Sequence, residues 1–366
     1  MRLSCSASVL LPLLGVLGVL ACGGEDPTAQ PDAGFADAVA YDSGPVDAAA
    51  RPDANRVDVG PIDAGFSDPE LIRGGVEDIS GLRTYLEIYG TTTSTNPPVI
   101  VLHRGPMTSS EYLPPFFKFL LPGRRLIFYD MRATGQTSYG DGTPTSTITF
   151  AQHVRDLDSL INFVGQLPEG IDTGTVDLVG HEYGAAVAFM YAADHPARVS
   201  KLVLLNPYPI NIAQHSLYRQ EVEARLTAPE RELYYAIRNR PECFGSLSEC
   251  AIQIWQIVGP HYMCPENRDL FSELVFRYGS FRAEYFYVER ELRNGRYNWQ
   301  PRLADVEADT TIVSGPCEPI PVATSTTYAA GIPGARHVVL PLTGEFPMVE
   351  APQAFEATVK SALWHP

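Results

Sequence analysis

The chain has 366 residues and a formal net charge of −16, with 45% hydrophobic and 19% charged residues. This length is enough for one large or two small domains that bury their own core. Residues 23–79 contain 13 acidic and 3 basic residues, so they hold −10 of the net charge and the remainder is only mildly acidic. The charge distribution therefore argues against a nucleic acid partner.

The first 21 residues have the pattern of an export signal. Arg2 precedes an apolar run at residues 9–20, which is too short to span a membrane as a helix. Cys22 directly follows the small residue Ala21, an arrangement that resembles the lipobox of bacterial lipoproteins. We predict a signal peptide at residues 1–21 and a lipidated Cys22, hence an exported protein held to a bacterial membrane by lipid alone, in the periplasm or at the cell surface. An ordinary cleaved signal and an uncleaved anchor are the alternatives.

A polar spacer separates this signal from the folded part. Residues 22–79 are dominated by Asp, Ala, Pro and Gly, and such a segment buries too little apolar surface to offset its ordering entropy. We therefore predict a disordered tether up to residue 79. Strand character begins with Leu82–Tyr89, which alternates, ends at Gly90 and is typical of an edge strand.

Short apolar runs mark the other predicted strands. These runs are Val99–Leu102, Leu126–Tyr129 and residues 175–179, 201–205, 310–313 and 337–340. Helical patterns alternate with them, and the helix from about Phe150 has Thr149 and Gln152 in capping-box positions. The alternation predicts an α/β fold with a mostly parallel central sheet, helices on both faces and ligands bound beyond the carboxyl ends of the strands.

One long segment interrupts this alternation. Residues 210–307 lose strand character and are rich in helical patterns with aromatic residues and arginines. We predict that they form a helical cap, inserted before the last two strands. The core is then divided into a first part, residues 80–209, and a second part, residues 308–366.

A strand, a sharp turn and an alanine-rich helix are predicted in succession around residue 182. An apolar run at residues 176–179 leads into Gly-His-Glu-Tyr-Gly at residues 180–184. Gly180 and Gly184 suit a turn in which strand and helix approach too closely for side chains. This frame is that of the nucleophile elbow Gly-x-Ser-x-Gly, but Glu182 stands where that motif has serine.

From about residue 80 to residue 365, the chain resembles the α/β-hydrolase fold, in the branch of the proline iminopeptidases and related capped hydrolases. The segments that carry the resemblance are, in chain order, residues 103–106, 130–137, 180–184, 195–199 and 344–347.

The resemblance implies the positions of a catalytic triad. The family's serine corresponds to Glu182, its acid to Glu318 and its histidine to Glu345. It also implies oxyanion-hole backbone N–H groups at Arg104 and Tyr183. Glutamate supplies neither the hydroxyl nucleophile nor the imidazole base of a serine hydrolase, because an ordinary carboxylate is ionised and weakly basic at neutral pH. The fold is therefore expected without the conventional mechanism.

Two further side chains are expected beside these glutamates. Asn206 ends a predicted strand at the edge where ligands bind. Arg104 replaces a residue that is commonly glycine in similar loops, so its guanidinium is expected to border the glutamates.

Three hypotheses follow from a glutamate at every triad position. Two unit charges about 4 Å apart repel by roughly 1 kcal/mol in water and more in a protein, so shared protons or a cation must neutralise the site. In the first hypothesis, Glu182, Glu318 and Glu345 bind a divalent cation, with His261 as a further ligand to check, for metal-assisted hydrolysis or ligand binding.

The second hypothesis is a pseudoenzyme that binds a small molecule or peptide in the capped cleft without turnover. The third is an aminopeptidase-like or esterase-like hydrolase that uses the glutamate carboxylates directly as acid, base or nucleophile. The sequence leaves all three open, and it does not indicate the substrate or the oligomeric state.

Four cysteines follow the tether, at Cys243, Cys250, Cys264 and Cys317. An even number in an exported chain predicts disulfides, although sequence alone allows three pairings. We favour the local pair Cys243 with Cys250, which leaves Cys264 with Cys317. Free buried thiols are the alternative.

Overall fold

The computed structural model describes residues 70–90, 96–105, 108–121, 123–137, 148–240, 248–274 and 285–365. The predicted signal peptide, Cys22 and most of the predicted tether lie outside these ranges. The strands are β1 (Leu71–Ile79), β2 (Leu82–Tyr89), β3 (Val99–Leu102), β4 (Leu126–Tyr129), β5 (Val176–His181), β6 (Val199–Leu205), β7 (Asp309–Ser314) and β8 (Arg336–Val339).

These strands form one sheet in the order β1-β2-β4-β3-β5-β6-β7-β8. The first two strands pair antiparallel with their neighbours, and β3 to β8 are mutually parallel. Every residue of β3, β4 and β5 is buried, as expected for central parallel strands that are covered on both faces. The predicted mostly parallel sheet is therefore confirmed.

The start of the sheet differs from the prediction. Leu71–Ile79 was assigned to the tether, but it forms β1 and pairs along its length with β2 through a turn at Ser80 and Gly81. Both turn residues have positive φ, 54° and 82°. The strand was missed because its two glycines and its charged residues resemble the spacer, whereas pairing with β2 satisfies its backbone. The edge strand is therefore β1, and β2 is the second strand.

Helices cover both faces of the sheet. They are α1 (Pro114–Phe117), α2 (Phe150–Val164), α3 (Tyr183–Asp194), α4 (Ile212–Arg225), α5 (Ala228–Arg238), α6 (Ser248–Val258), α7 (Tyr285–Asn294), α8 (Val322–Gly331), α9 (Pro347–Glu350) and α10 (Pro352–Ala362). Thr149 caps α2 as predicted, since its side chain accepts a hydrogen bond from the N–H of Gln152, but the reciprocal bond of the capping box is not formed because the side chain of Gln152 pairs with Arg155 and Asp156. The small residues of α3 let this helix lie buried between the sheet and its neighbours. No helix in the described ranges is long and apolar enough to cross a membrane.

The helical cap lies between β6 and β7, before the last two strands, as predicted. It contains α4 to α7 and two 3-10 segments, Gly259–Tyr262 and Pro265–Glu273. A disulfide between Cys264 and Cys317 joins it to the loop that follows β7, which confirms that pair. The other predicted pair includes Cys243, which lies outside the described residues, so it stays a prediction.

Candidate functional site

The turn between β5 and α3 has the strained geometry of an elbow. Glu182 has φ 50° and ψ −107°, a backbone conformation that costs energy for any residue with a side chain. A Cβ on Gly180 would lie 2.4 Å from Cα of Ala185, and one on Gly184 would lie 2.5 Å from the carbonyl oxygen of His103. The two glycines therefore let the strand, the helix and the loop after β3 meet around Glu182.

The carboxylate of Glu182 is bound by two backbone N–H groups. Its Oε2 accepts hydrogen bonds from Gly105 and Tyr183, each at 2.8 Å. Two N–H groups that converge on one oxygen are the arrangement of an oxyanion hole. In this protein the carboxylate of Glu182 occupies the position of the oxyanion.

One donor of this pair differs from the prediction. The backbone N–H of Arg104 donates to the hydroxyl of Tyr112 at 2.9 Å, so it points away from Glu182. Gly105 supplies the donor instead, since its own backbone N–H lies 2.8 Å from Oε2 of Glu182. Tyr183 lies where we expected it.

The other two glutamates lie in loops beyond the carboxyl ends of β7 and β8. Glu318 and Glu345 are 4% and 0% exposed, and Glu182 is 3% exposed. We call Glu182, Glu318 and Glu345 the glutamate cluster. Asn206, at the end of β6, links the two loops, because its Nδ2 donates both to Oε2 of Glu318 and to the carbonyl of Gly344.

A buried guanidinium lies beside the glutamate cluster. Nε of Arg104 is 3.4 Å from Oε1 of Glu345, and the residue is only 5% exposed. Burial alone lowers the pKa of Arg104, but the negative charges of Glu182 and Glu345 outweigh it and raise that pKa above its usual value. The side chain therefore keeps its positive charge beside the glutamates, as the sequence suggested.

Burial favours the protonated form of two carboxyls of the cluster. Desolvation raises the pKa of Glu318 to about 8, although Asn206 and Arg225 act to lower it. Desolvation also raises the pKa of Glu345 well above its ordinary value, and the charges of Glu182 and Glu318 add to this against the opposing effect of Arg104. The proton on Glu318 and the guanidinium of Arg104 thus offset negative charge in the cluster at neutral pH.

A chain of hydrogen bonds positions the loop that carries Glu345. The hydroxyl of Tyr112 lies 2.6 Å from Nδ1 of His181, and Nε2 of His181 lies 2.8 Å from the carbonyl oxygen of Glu345. A carbonyl only accepts, so Nε2 carries the proton and Nδ1 accepts from Tyr112. Burial lowers the pKa of His181 to about 3, which keeps the ring neutral. His181 therefore orients the loop rather than acting as a base.

Other histidines have partners away from the glutamate cluster. Nε2 of His103 accepts from the N–H of Met131 at 3.1 Å, and burial lowers the pKa of His103 to about 3. His337 contacts the hydroxyl of Ser314 at 2.8 Å. Nε2 of His261 lies 3.1 Å from Glu230 in the cap. Among the described residues, the structure records no hydrogen bond from an imidazole to Glu182.

The predicted metal site is wrong in its proposed form. No group of three or more His, Cys, Asp or Glu residues in the described ranges is arranged to hold a metal ion. The physical reason is that each carboxyl already has a different partner: Glu182 faces backbone N–H groups, Glu318 faces Asn206, and Glu345 faces Arg104. The predicted extra ligand, His261, pairs with Glu230 instead.

The hydrogen bonding of the site is incomplete. Oδ1 of Asn206, Oε1 of Glu318 and Oε2 of Glu345 are buried and have no hydrogen-bond partner among the described residues. Buried polar atoms are normally paired, so three such atoms in one place indicate that something else contacts them.

The cap is held directly over this site. Nη1 of Arg225 donates to the carbonyl oxygens of His261 and Cys317, and its Nη2 donates to that of Glu318. The N–H of Glu345 donates to the carbonyl oxygen of Tyr262 at 2.8 Å. With the adjacent disulfide, these bonds fix the cap to the two loops of the core that carry Glu318 and Glu345.

The protein has a mostly parallel sheet, a strand-elbow-helix unit and site residues in loops at the carboxyl edge of the sheet. These features define a hydrolase-type α/β protein. The family model for the alpha/beta hydrolase family matches residues 99–358. The chain belongs to this family.

Proline iminopeptidases are among its relatives. The enzyme of Lactobacillus helveticus is 28% identical over 182 residues, which are 49% of this chain and 57% of that protein. The match therefore spans little more than half of that relative. The enzyme of Lactobacillus delbrueckii subsp. bulgaricus is 24% identical over 286 residues, 73% of this chain and 90% of that protein.

Solved structures show the same fold at low identity. VinJ superposes with a TM-score of 0.62 at 19% identity, covering 80% of this chain and 98% of that one. The proline iminopeptidase of Mycobacterium smegmatis superposes with a TM-score of 0.55 at 20% identity, covering 80% and 97%. Likeness at this level establishes the fold and not the activity.

Sequence reasoning missed several members of the site. Tyr112 and Gly105 shape the loop after β3, and the aromatic rings of Trp255, Tyr262 and Phe346 surround the guanidinium of Arg104. The unusual arginine of that loop was a usable signal. No sequence signal marked the aromatic residues, because an aromatic side chain that contacts a cation cannot be told in sequence from one that packs in a core.

Proposed function

We propose that this protein is a non-catalytic member of the alpha/beta hydrolase family that binds a ligand beneath its helical cap. One observation carries the proposal: the carboxylate of Glu182 accepts both backbone N–H groups that would otherwise receive a substrate oxygen. Acyl-transfer catalysis depends on such donors being free for the oxyanion that develops in the transition state. A negatively charged side chain in that place competes with the oxyanion.

The residues at the other two triad positions support the same proposal. Glu345 stands where similar hydrolases have their histidine, but its Oε1 faces the guanidinium of Arg104 at 3.4 Å. Glu318 would have to orient an imidazole, but its bound partner is Asn206. We infer that the triad was replaced by a set of residues that stabilise one another.

Direct catalysis by a carboxylate has less support. An attacking oxygen must reach the substrate carbonyl, and the resulting ester needs a general base for its hydrolysis. Oε2 of Glu182 is committed to Gly105 and Tyr183. Nδ1 and Nε2 of the nearest elbow histidine, His181, are engaged by Tyr112 and the carbonyl of Glu345.

Assays of the full chain test the proposal. With prolyl p-nitroanilide and p-nitrophenyl acetate as substrates, we expect release of the chromophore at the rate of the buffer blank, because no nucleophile and base pair is available. A proline iminopeptidase run in parallel controls the assay, and Glu182→Gln is the matched variant. Turnover by the wild type that disappears in Glu182→Gln would show that the glutamates catalyse and would reject the proposal.

The anchoring of this binding protein is part of the proposal. The lipobox-like sequence before Cys22 and the polar segment after it support an exported, lipid-anchored molecule. Metabolic labelling with palmitate should mark the wild type in the membrane fraction and leave Cys22→Ser unlabelled. Equal labelling of both proteins would exclude an anchor at Cys22.

A further inference from the structure

The guanidinium of Arg104 lies among three aromatic rings. Its Cζ is 4.5 Å from the ring centroid of Trp255, 5.1 Å from that of Tyr262 and 5.7 Å from that of Phe346. Trp255 lies in α6 and Tyr262 in the following 3-10 segment, whereas Phe346 follows Glu345 in the core. We call these three rings the aromatic cage. Both the cap and the core contribute to it.

The chemistry of the aromatic cage selects cations. The face of an aromatic ring is the negative part of its quadrupole, so a planar guanidinium or an alkylammonium is attracted at these distances. Glu345 meets the guanidinium at 3.4 Å, and Glu182 adds a second negative charge. Rings and carboxylates together form the usual environment of a recognised cationic head group.

Two buried oxygens of the site, Oδ1 of Asn206 and Oε2 of Glu345, accept no hydrogen bond from the described residues. A guanidinium carries five N–H donors and an ammonium three, and neither accepts hydrogen bonds. A donor-rich cation therefore fits both the charge of the site and its missing hydrogen bonds.

The backbone of Arg104 is fixed independently of its side chain. Its N–H donates to Tyr112, and its carbonyl oxygen accepts from the hydroxyl of Thr108 and from Nδ1 of His103. The residue follows the end of β3 and belongs to neither a helix nor a strand. The guanidinium can therefore leave the aromatic cage while these backbone hydrogen bonds remain.

We propose that the aromatic cage, together with Glu182 and Glu345, is a binding site for a cationic head group of the guanidinium or alkylammonium class, which Arg104 occupies as an internal competitor. This proposal rests on the proposed ligand-binding function and names the class of its ligand. If Arg104 competes reversibly, the wild type also binds an added cation. If Arg104 is a permanent internal counter-ion, the wild type binds none.

Removal of the internal competitor tests the proposal. Calorimetric titration of Arg104→Ala with methylguanidinium chloride should show saturable binding at least tenfold tighter than that of the wild type, because the competitor is gone. Urea, a neutral molecule of similar shape, should not bind. Arg104→Ala with Glu345→Gln should lose at least tenfold of the gained affinity, since one carboxylate of the site is removed.

The wild type decides between competition and a fixed counter-ion. We expect weak but saturable binding of methylguanidinium, measured by calorimetric titration, that is lost in Trp255→Leu. If Arg104→Ala binds the probe and the wild type does not, Arg104 is a permanent counter-ion and the proposal is overturned. It is also overturned if folded Arg104→Ala binds methylguanidinium no better than urea.

A variant that fails to fold still gives an answer. Refolding of Arg104→Ala with methylguanidinium chloride is compared with refolding in sodium chloride at equal ionic strength. Recovery only with the guanidinium salt supports the cation site, and equal recovery counts against it. These readouts are independent of hydrolysis, so a failed cation test and an observed turnover would be recognised separately.

Discussion

Two buried polar networks lie on either side of the loop after β3, and they differ in completeness. In the first, Oδ1 of Asp130 accepts from the N–H and the hydroxyl of Ser110, and Oδ2 accepts from the N–H of Gln136, all within 2.8 Å. A Cβ on Gly135 would lie 2.1 Å from that carboxylate, so the group is also tightly enclosed. In the second, the glutamate cluster with Asn206, three oxygens have no partner among the described residues.

The difference indicates which network is structural and which is kept for a ligand. A buried polar network that is fully satisfied rigidifies the chain, whereas an unpaired buried acceptor costs free energy. The Asp130 network closes on itself and holds the loop that carries Arg104. The glutamate cluster leaves polar atoms without a partner among the described residues and holds one buried guanidinium. This difference supports the proposal that the incomplete network binds a ligand.

The largest expected effect concerns the attachment of the cap to the incomplete network. Replacement of both Cys264 and Cys317 by serine should lower the free energy of unfolding by about 4 kcal/mol, because a closed loop of this length restricts the unfolded chain. The two cysteines are 53 residues apart in sequence. Urea unfolding of the wild type and the double variant, both without reductant, measures the difference. A loss below about 1 kcal/mol would mean that Arg225 and the cap contacts suffice.

A somewhat smaller effect is expected from the complete network. Asp130→Ala leaves the N–H groups of Ser110 and Gln136 buried without an acceptor and should cost about 3 kcal/mol or more of unfolding free energy. Glu318→Gln keeps an acceptor for Asn206 and should change the free energy of unfolding by no more than about 1 kcal/mol at pH 7. Urea unfolding compares the two variants. Equal losses of unfolding free energy in the two variants would contradict the distinction between a complete and an incomplete network.

The smallest expected effect is a dependence of stability on pH that arises from the glutamate cluster. The pKa of Glu318 is about 8 in the folded protein and 4.5 ordinarily, so the folded state binds more protons between these values. The free energy of unfolding then falls as the pH rises. Between pH 7 and pH 9 we expect a fall of about 1 kcal/mol or more.

The buried histidines do not contribute to the change in stability between pH 7 and pH 9. The pKa values of His103 and His181 are lowered from 6.5 to about 3 in the folded protein, so they make stability rise with pH up to about 6.5 and add nothing above pH 7. Urea unfolding of Glu318→Gln at the same pH values is the control and should show a flatter profile. A wild-type profile as flat as that of the variant would contradict the raised pKa of Glu318.

The sequence by itself determined the frame of this protein. Continuous apolar runs such as Val99–Leu102 predicted buried parallel strands, since only strands that are covered on both faces lack polar positions. Gly180 and Gly184 predicted the elbow, because no side chain fits where strand and helix meet. The resemblance to the α/β-hydrolase fold located Glu182, Glu318 and Glu345, each of which follows a strand at the carboxyl edge of the sheet.

Only the tertiary structure decided how the site is neutralised. Sequence reasoning proposed a metal for the glutamates, because it could not show that Arg104 would be buried beside Glu345 or that burial would raise the pKa values of Glu318 and Glu345. Sequence reasoning also failed to predict the aromatic cage and β1. A ring's partner, a carboxyl's desolvation and the pairing of a polar strand all depend on residues distant in sequence, and these come together only when the chain folds.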